Sequence, residues 1–462
     1  MRALLSVFFL FAFASGHGQD SLKFWSFDDF LAQVRTHHPQ IKAAEFRLDQ
    51  GEAALLYAKG NLDPKLKTQL AQKYYDGSQY YDLGSAGLQI PTWVGIDFDL
   101  NYFSNDGVYL NPQNKVPNEG LVAAGVSLPV GRGLFFDERR LAIKGAKITA
   151  RQAEQEKNLM INEVLFEAAL TYWGWSNAYQ NLKVYEESLE LAQQRYAAVK
   201  DQAKYGDKPD IDTLEAYIQV QNRLLDLSQG ELDFRNATAA ASVFLWGEGF
   251  IPLEFSPEAV PTGSLSNTPM VDLSDWVATD SFLLNHPIMI QNQLKIDQLL
   301  LDQKWKRELF KPKLDLKYQA LQAPIGDWAD SYNINNYTWG FKFELPLYYR
   351  KERGGYRLTK AKLGEQRLIF ATKQKELEVK LLQSLNSFNT YDQQLQIAEQ
   401  LVSNRSKLLA AEREIFENGE SSLFLINSRE MNYVKAKLKY NDLAAKIWME
   451  FSKVQFITAN WR

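Results

Sequence analysis

The 462-residue sequence contains no cysteine and only four histidines. The lack of cysteine excludes disulfides, thiolate metal sites, a cysteine nucleophile and a lipid-modified N-terminal cysteine, and so few histidines argue against a histidine-rich metal site. Lys and Arg total 52 against 56 for Asp and Glu, so the chain lacks the basic surface that general nucleic-acid binding requires. Phosphate loops, dinucleotide fingerprints and the G-x-S-x-G and H-E-x-x-H motifs are also absent. The sequence therefore predicts a protein that is not an enzyme, binds no cofactor or metal, and has no nucleic-acid partner.

The longest apolar run lies at the N-terminus. Arg2 precedes an apolar segment from Ala3 to Ala14, and small residues follow. This layout is typical of a secretory signal peptide, which we place at residues 1–19. The apolar run of about 12 residues is shorter than the roughly 20 that a transmembrane helix needs. We expect an exported protein whose mature chain has no membrane-spanning helix.

The sequence also repeats itself. His38-Pro and Pro64-Lys-Leu recur 248 residues later as His286-Pro and Pro312-Lys-Leu. The offset then falls to 217 residues at the next shared landmark, so the first copy carries 31 additional residues. Adjacent residues on a helix point about 100° apart, and only one histidine of the His37-His38 pair recurs, so we interpret the pair as structural rather than metal-binding.

The duplication predicts a domain plan. We expect a first repeat at 20–249, a Pro-, Ser- and Gly-rich connector or equatorial region at 250–271, and a second repeat at 272–462. Each repeat would contain a short helix, a β segment and a long helical hairpin.

Two proline-free stretches, 137–205 and 351–417, have apolar residues at steps of three and four. This spacing is typical of supercoiled helices, and 65 to 70 residues would form a helix about 100 Å long. Turns at 205–210 and 417–422 lead into further helices at 211–247 and 423–457. The sequence therefore predicts two long helical hairpins.

The β segments have the opposite period. In 338–347, Trp339, Phe341 and Phe343 alternate with small and charged residues, and the same alternation occurs at 66–74, 122–130 and 314–319. Period two, with one apolar and one polar face, is the signature of a transmembrane β-strand, although the edge of a soluble sandwich has the same pattern. Aromatic residues near the strand ends suit membrane-interface belts; they are Trp328, Tyr332, Tyr337, Trp339, Tyr348 and Tyr349.

Four strands cannot close a sheet, and an open sheet edge cannot stand in lipid because every backbone polar group there needs a partner. Bacterial single-chain barrels begin at about eight strands. We therefore expect several copies to share one barrel and to bring their helical hairpins together as a tube.

The chain resembles TolC-type outer-membrane efflux proteins over its mature length. The matching segments are the duplicated helix entries 36–39 (THHP) and 285–287 (NHP), the strand-to-helix segments 127–133 (SLPVGRG) and 344–350 (ELPLYYR), and the two hairpin tips. The tips of this family resemble G-x-x-[ST]-x-x-D-[VL]-L. Here Gly206 is followed by Asp212 at the Asp position, but Pro209 replaces the hydroxyl residue; the second copy keeps Gly419 and Ser422.

The resemblance implies a mixed α and β membrane protein: long helical hairpins forming an α-barrel, and amphipathic strands forming a shared transmembrane β-barrel. It implies a homotrimer with 12 strands, placed in outer-membrane lipid with its helical part in the periplasm. It also implies a periplasmic adaptor (membrane fusion protein) and an inner-membrane transporter as partners. The additional residues of the first copy include a further alternating segment at 93–102. We expect an extra hairpin at the extracellular mouth, with two added barrel strands as the open alternative.

The candidate functional site lies at the hairpin tips. Acidic side chains crowd both turns, and assembled copies would turn them into rings that favour cations and close the tube; alternatively they are ordinary exposed turn residues. The candidate aperture or adaptor-contact residues are Gly206, Asp207, Asp210, Asp212, Glu417, Gly419 and Glu420. Grooves beside the two glycines are a second candidate for packing partner helices.

The sequence-based hypothesis is thus an outer-membrane exit duct of a multi-component efflux system, conducting solutes passively. The alternative from another class is an exported structural coiled-coil or adhesin-like protein. Within the duct class, drug efflux, type I protein secretion and metal efflux stay open, with organic solutes favoured.

Overall fold

The computed structural model describes residues 24–256, 258–262, 265, 283, 285–323 and 333–461. The expected signal peptide lies outside these residues, as do part of the connector and the aromatic residues Trp328 and Tyr332. No helix in the described part of the chain is both long and apolar enough to cross a membrane.

The described residues contain seven α-helices. They are α1 (Phe27–His37), α2 (Pro39–Lys59), α3 (Glu138–Lys204), α4 (Asp210–Ser242), α5 (Pro287–Glu308), α6 (Arg350–Glu417) and α7 (Leu423–Thr458). The bounds of α3 and α6 lie within one residue of those predicted from the apolar spacing. Helix α4 ends five residues earlier than predicted. Its last turn tightens, with the Phe244 and Leu245 amides donating to carbonyls three residues back at 3.1 and 3.0 Å, and Trp246 then forms a bridge with Pro252.

The described strands form two sheets. Two-residue strands β1 (Phe24–Trp25) and β6 (Val260–Pro261) pair in parallel. The main sheet is antiparallel throughout and has the order β2-β3-β4-β5-β7-β8. Its strands are β2 (Lys65–Tyr75), β3 (Ser78–Pro91), β4 (Asp97–Asp106), β5 (Leu121–Pro129), β7 (Lys313–Gln322) and β8 (Tyr337–Glu344).

The main sheet has six strands rather than the four expected. Strands β3 and β4 come from the additional residues of the first copy and lie between β2 and β5. The additional residues thus form a hairpin within the sheet, and its place at the extracellular mouth or among the barrel strands stays a prediction. The alternation at 93–102 identified β4, but the bounds of β3 did not follow from the sequence because Gly84, Ala86 and Gly87 dilute its apolar signal.

The contacts divide the chain into two compact units. The first comprises the described residues up to Lys42 and those within Ile161–Asp275 and Leu381–Arg462; the second comprises those within Ala43–Met160 and Trp276–Lys380. Each unit draws residues from both predicted repeats. The division into repeats and connector stays a prediction.

Aromatic side chains form much of the first unit's core. Trp175, Tyr172 and Phe30 are among the largest fully buried side chains, and Trp173 stacks on Trp448 with ring centroids 4.4 Å apart. Two of these rings pair their polar atoms: the Tyr172 hydroxyl donates to the Trp25 carbonyl at 2.9 Å, and Trp175 Nε1 donates to Thr238 Oγ1 at 2.8 Å. The aromatic content therefore serves the helical core as well as the strands, which the sequence did not indicate.

The two His-Pro entries have one local geometry. His38 Nδ1 accepts the Gln40 amide at 3.3 Å, and His286 Nδ1 accepts the Ile288 amide at 3.1 Å. Burial lowers the pKa of His38, which keeps its ring neutral and leaves the Nδ1 lone pair available to the amide. Each imidazole thus satisfies a backbone donor at the start of a helix, a structural role.

Candidate functional site

The hairpin tips, which belong to the first unit, contain all seven candidate residues. At both tips the first helix ends with the same hydrogen-bond pattern. The Asp207 amide donates to the Gln202 carbonyl and the Gly206 amide to the Ala203 carbonyl, and the Glu420 and Gly419 amides do the same to Ile415 and Phe416, at 3.0 to 3.1 Å. This pair of bonds is the Schellman motif, which requires a left-handed residue.

Glycine supplies that residue at both tips. Gly206 has φ +82° and Gly419 has φ +80°. Apart from the glycine itself and its two chain neighbours, no described residue has an atom within 4 Å of the position that a Cβ would occupy at either site. The glycines are therefore needed for backbone conformation and not for close packing within one chain.

The second helix of each hairpin begins differently. At α7, Ser422 is the N-cap, and its hydroxyl accepts the Leu425 amide at 3.3 Å. At α4, the N-cap is Pro209, whose ring has no hydrogen-bonding group. Asp210 and Asp212 lie in the first turn of α4, where a carboxylate interacts favourably with the helix dipole. Charge thus takes the place of the hydroxyl cap.

The acidic candidates lie at the surface of the tips. Asp207, Asp210, Glu417 and Glu420 are exposed and Asp212 is half-buried. Between the two turns, Lys208 Nζ lies 4.9 Å from the centroid of the Phe416 ring. The structure therefore brings the predicted residues of both tips to one end of the first unit.

A buried polar joint lies behind the tips. Arg195 of α3 forms an ion pair with Glu430 and a hydrogen bond with Asn427, both on α7. Asn427 Nδ2 donates in turn to Glu215 Oε1 of α4 at 3.3 Å. The side chains of Arg195 and Glu430 are only 9% and 3% exposed. The joint links the two hairpins, and sequence reasoning missed it because its members on the first hairpin are more than 200 residues from those on the second.

A surface groove of about 470 Å³ runs between α3 and α4 next to the first tip. Its lining residues are Tyr196, Lys200, Ala203, Lys204, Asp210, Thr213, Leu214 and Tyr217. The lining combines two aromatic rings with charges of both signs. Gly206 is not among these lining residues, so the groove expected for a partner helix beside that glycine stays a prediction.

The second unit presents an exposed apolar sheet face. The pairing register places Leu70 of β2, Phe98 of β4 and Val126 of β5 on the same face as Trp339 of β8. Leu66, Leu70 and Trp339 are 77%, 84% and 69% exposed. Monomeric soluble proteins rarely expose an apolar surface of this extent. The opposite face is polar; its charged residues are Lys65, Lys67, Lys73, Asp97, Asp99, Lys313, Asp315, Lys317, Lys342 and Glu344.

The described residues hold no cluster of three or more His, Asp or Glu side chains that is arranged for a metal ion. Among the aromatic residues expected near strand ends, Tyr337 and Trp339 lie on β8, and Tyr348 and Tyr349 follow it. Trp93, in the turn between β3 and β4, is a further exposed ring, which the sequence reasoning did not single out.

No protein-family model matches the sequence, and no curated relative is found by sequence. The structure, however, resembles solved outer-membrane proteins. The CmeC outer membrane channel of Campylobacter jejuni matches with a TM-score of 0.64 at 15% identity, covering 94% of this chain and 85% of its own. The outer membrane protein VceC of Vibrio cholerae matches at 0.65 and 12%, covering 94% and 96%. The open-state MtrE outer membrane channel of Neisseria gonorrhoeae matches at 0.65 and 11%, covering 93% and 88%. The predicted TolC-like fold is confirmed.

Proposed function

We propose that this chain, which has the fold of these outer-membrane channels, is the outer-membrane exit duct of a multi-component efflux system. The observation that carries the proposal is the amphipathic main sheet, apolar and exposed on one face and polar on the other. A sheet of this kind is suited to enclose a water-filled pore within lipid once copies join edge to edge. The likeness to solved channels over 93% to 94% of the chain supports this function.

The duct would be a homotrimer in the outer membrane, with its helical part in the periplasm. A periplasmic adaptor would pack its helices into the groove beside the first tip, and an inner-membrane transporter would drive the solutes. CmeC and MtrE, which this structure resembles, are outer membrane channels, and this likeness supports a passive role. Organic solutes are the favoured cargo.

The alternative, an exported structural coiled-coil or adhesin-like protein, gives no reason for the exposed apolar sheet face. Cell fractionation separates the two functions. We expect the protein in outer-membrane fractions as an oligomer that requires detergent. Release as a soluble monomer by osmotic shock would contradict the duct.

The acidic tips are proposed to form the periplasmic aperture. The triple variant Asp207→Asn, Asp210→Asn and Asp212→Asn should reduce the cation preference measured in planar bilayers, because rings of carboxylates favour cations. A matched control removes three exposed carboxylates far from both tips, with Glu154→Gln, Glu163→Gln and Glu399→Gln. We expect the control to keep the cation preference. Unchanged conductance and selectivity in the Asp variant would refute the aperture, while the duct itself would stand.

A further inference from the structure

The inserted hairpin β3–β4 occupies the interior of the main sheet. Strand β3 forms hydrogen bonds to β2 along its length, and β4 does so to β5; β2 and β5 are not neighbours. If the hairpin stood outside the membrane, β2 and β5 would each lose the strand that pairs their backbone groups. In hydrocarbon, each unpaired group costs several kcal/mol, so the sheet must enter lipid with all six strands or lose β2.

The hairpin continues the apolar face across two rows of paired residues. Residues in register across the sheet form a row of apolar side chains, one from each strand: Leu66, Leu88, Leu100, Ala124, Ala320 and Tyr337. A second row begins on the hairpin with Ile90 and Phe98 and runs through Val126 and Tyr318 to Trp339. The face of the hairpin is therefore matched to the strands that the sequence assigned to the membrane.

The strands of the hairpin are also long enough to cross a bilayer. Strands β3 and β4 contain 14 and 10 residues, and a tilted strand needs about 9 to 11 residues to cross a bilayer. Their shared turn lies against the sheet-to-helix junction, where Asp97 Oδ1 is 2.6 Å from Arg139 Nη1 of α3. At the other end the apolar face becomes polar, since Gln72 donates to Asp82 at 3.2 Å and Asp82 pairs with Asp106.

The turn between β3 and β4 packs closely against the start of α3. Gly95 has φ +93°, and a Cβ there would lie 2.9 Å from Arg140 Nη2. Arg140 in turn donates to the carbonyls of Gly133 and Leu134 at 2.5 and 2.9 Å. The turn thus fixes the hairpin to the start of α3.

We propose that β3 and β4 span the outer membrane as two of six barrel strands that each chain contributes, so that a trimer closes an 18-stranded barrel rather than a 12-stranded one. The lipid acyl chains cover the apolar face of the hairpin, and its polar face lines the pore. This proposal rests on the proposed duct function. Because barrel diameter grows roughly linearly with strand number, the β pore is about 1.5 times as wide as that of a 12-stranded barrel.

The absence of cysteine allows a direct test with single-cysteine variants of the full-length protein in proteoliposomes. Leu100→Cys and Asn101→Cys probe the two faces of β4, and Phe341→Cys and Lys342→Cys probe the same faces of β8. A bimane label at positions 100 and 341 should be quenched to the same extent by brominated phosphatidylcholine. Labels at 101 and 342 should escape this quenching. The cysteines at these two positions should also react with a membrane-impermeant maleimide.

The four positions separate the two proposals. If position 341 is quenched while position 100 is exposed to water, the hairpin lies outside the membrane, so the six-strand inference fails and the duct stands. If neither position is quenched, the duct fails as well. Electron microscopy of the solubilised particle provides the second measurement. Three copies around an 18-stranded wall support the proposal, and a 12-stranded wall overturns it.

Discussion

The two hairpin tips end their first helices identically and begin their second helices differently. Both stops use a left-handed glycine and the same two backbone hydrogen bonds. The starts use Ser422 at one tip, but Pro209 with Asp210 and Asp212 at the other. The comparison teaches that the left-handed glycine determines where the chain reverses, whereas different residues can serve as the N-cap of the second helix. At the first tip that freedom concentrates negative charge where the proposed aperture lies.

The largest expected effect concerns the buried joint that holds the tips together. Arg195→Met leaves Glu430 charged, buried and unpaired, and should lower the free energy of unfolding by about 3–5 kcal/mol. Chemical denaturation of the detergent-solubilised protein would measure the loss.

The matched control is the double variant Arg195→Met and Glu430→Met, which fills the same space with apolar side chains. It should regain most of the lost stability, because well-packed apolar replacements of a buried ion pair are often neutral. If the single variant lost less than about 1 kcal/mol, the joint would not be what holds the tips together.

An intermediate effect is expected at the two glycines that end α3 and α6. Gly206→Ala and Gly419→Ala should each cost about 1–2 kcal/mol, because a Cβ disfavours the left-handed conformation. Asn at either position should cost less, since Asn visits this conformation more readily. Equal losses at the two tips would sharpen the comparison. A loss at one tip alone would show that the stop depends on contacts beyond the turn.

The smallest effect is expected at the N-caps of α4 and α7. The quantity to compare is the difference in stability between a Ser and an Ala variant at each N-cap position. Ser422→Ala should cost about 1 kcal/mol, the usual value of a serine N-cap. At position 209, the Ser variant should exceed the Ala variant in stability by the same amount, because both lose the proline ring and only Ser can cap α4. Thermal unfolding of the three variants tests this. A negligible Ser–Ala difference at 209 would mean that the acidic first turn leaves no role for a hydroxyl cap.

The long helices and the amphipathic strands could be predicted because their apolar periods extend over many residues. The bounds of α3 and α6 followed from the spacing, and Trp339, Phe341 and Phe343 marked β8. An extra hairpin was expected, but the bounds of β3 could not be predicted, because its apolar face includes Gly84 and Ala86.

The candidate site was predictable only in its local part. Glycine followed by a polar turn marked both tips, and Pro209 signalled a start without a hydroxyl cap. Arg195, Asn427 and Glu430 have no local signal, because charged and amide residues on a long helix are ordinarily solvated. Their meeting depends on how the two hairpins pack, which no stretch of sequence encodes alone.

The unequal edges of the main sheet bear on how copies find each other before they are inserted. Strand β2, at one edge, carries Lys65, Lys67 and Lys73 on one face, whereas β8, at the other edge, carries Lys342 together with Glu344. Two β2 edges brought together would set lysines against lysines, and like charges on paired strands repel. In the proposed duct, this repulsion would discourage pairing through identical edges. A ring of copies would then grow in one direction, with the β8 edge of one copy meeting the β2 edge of the next until the circle closes.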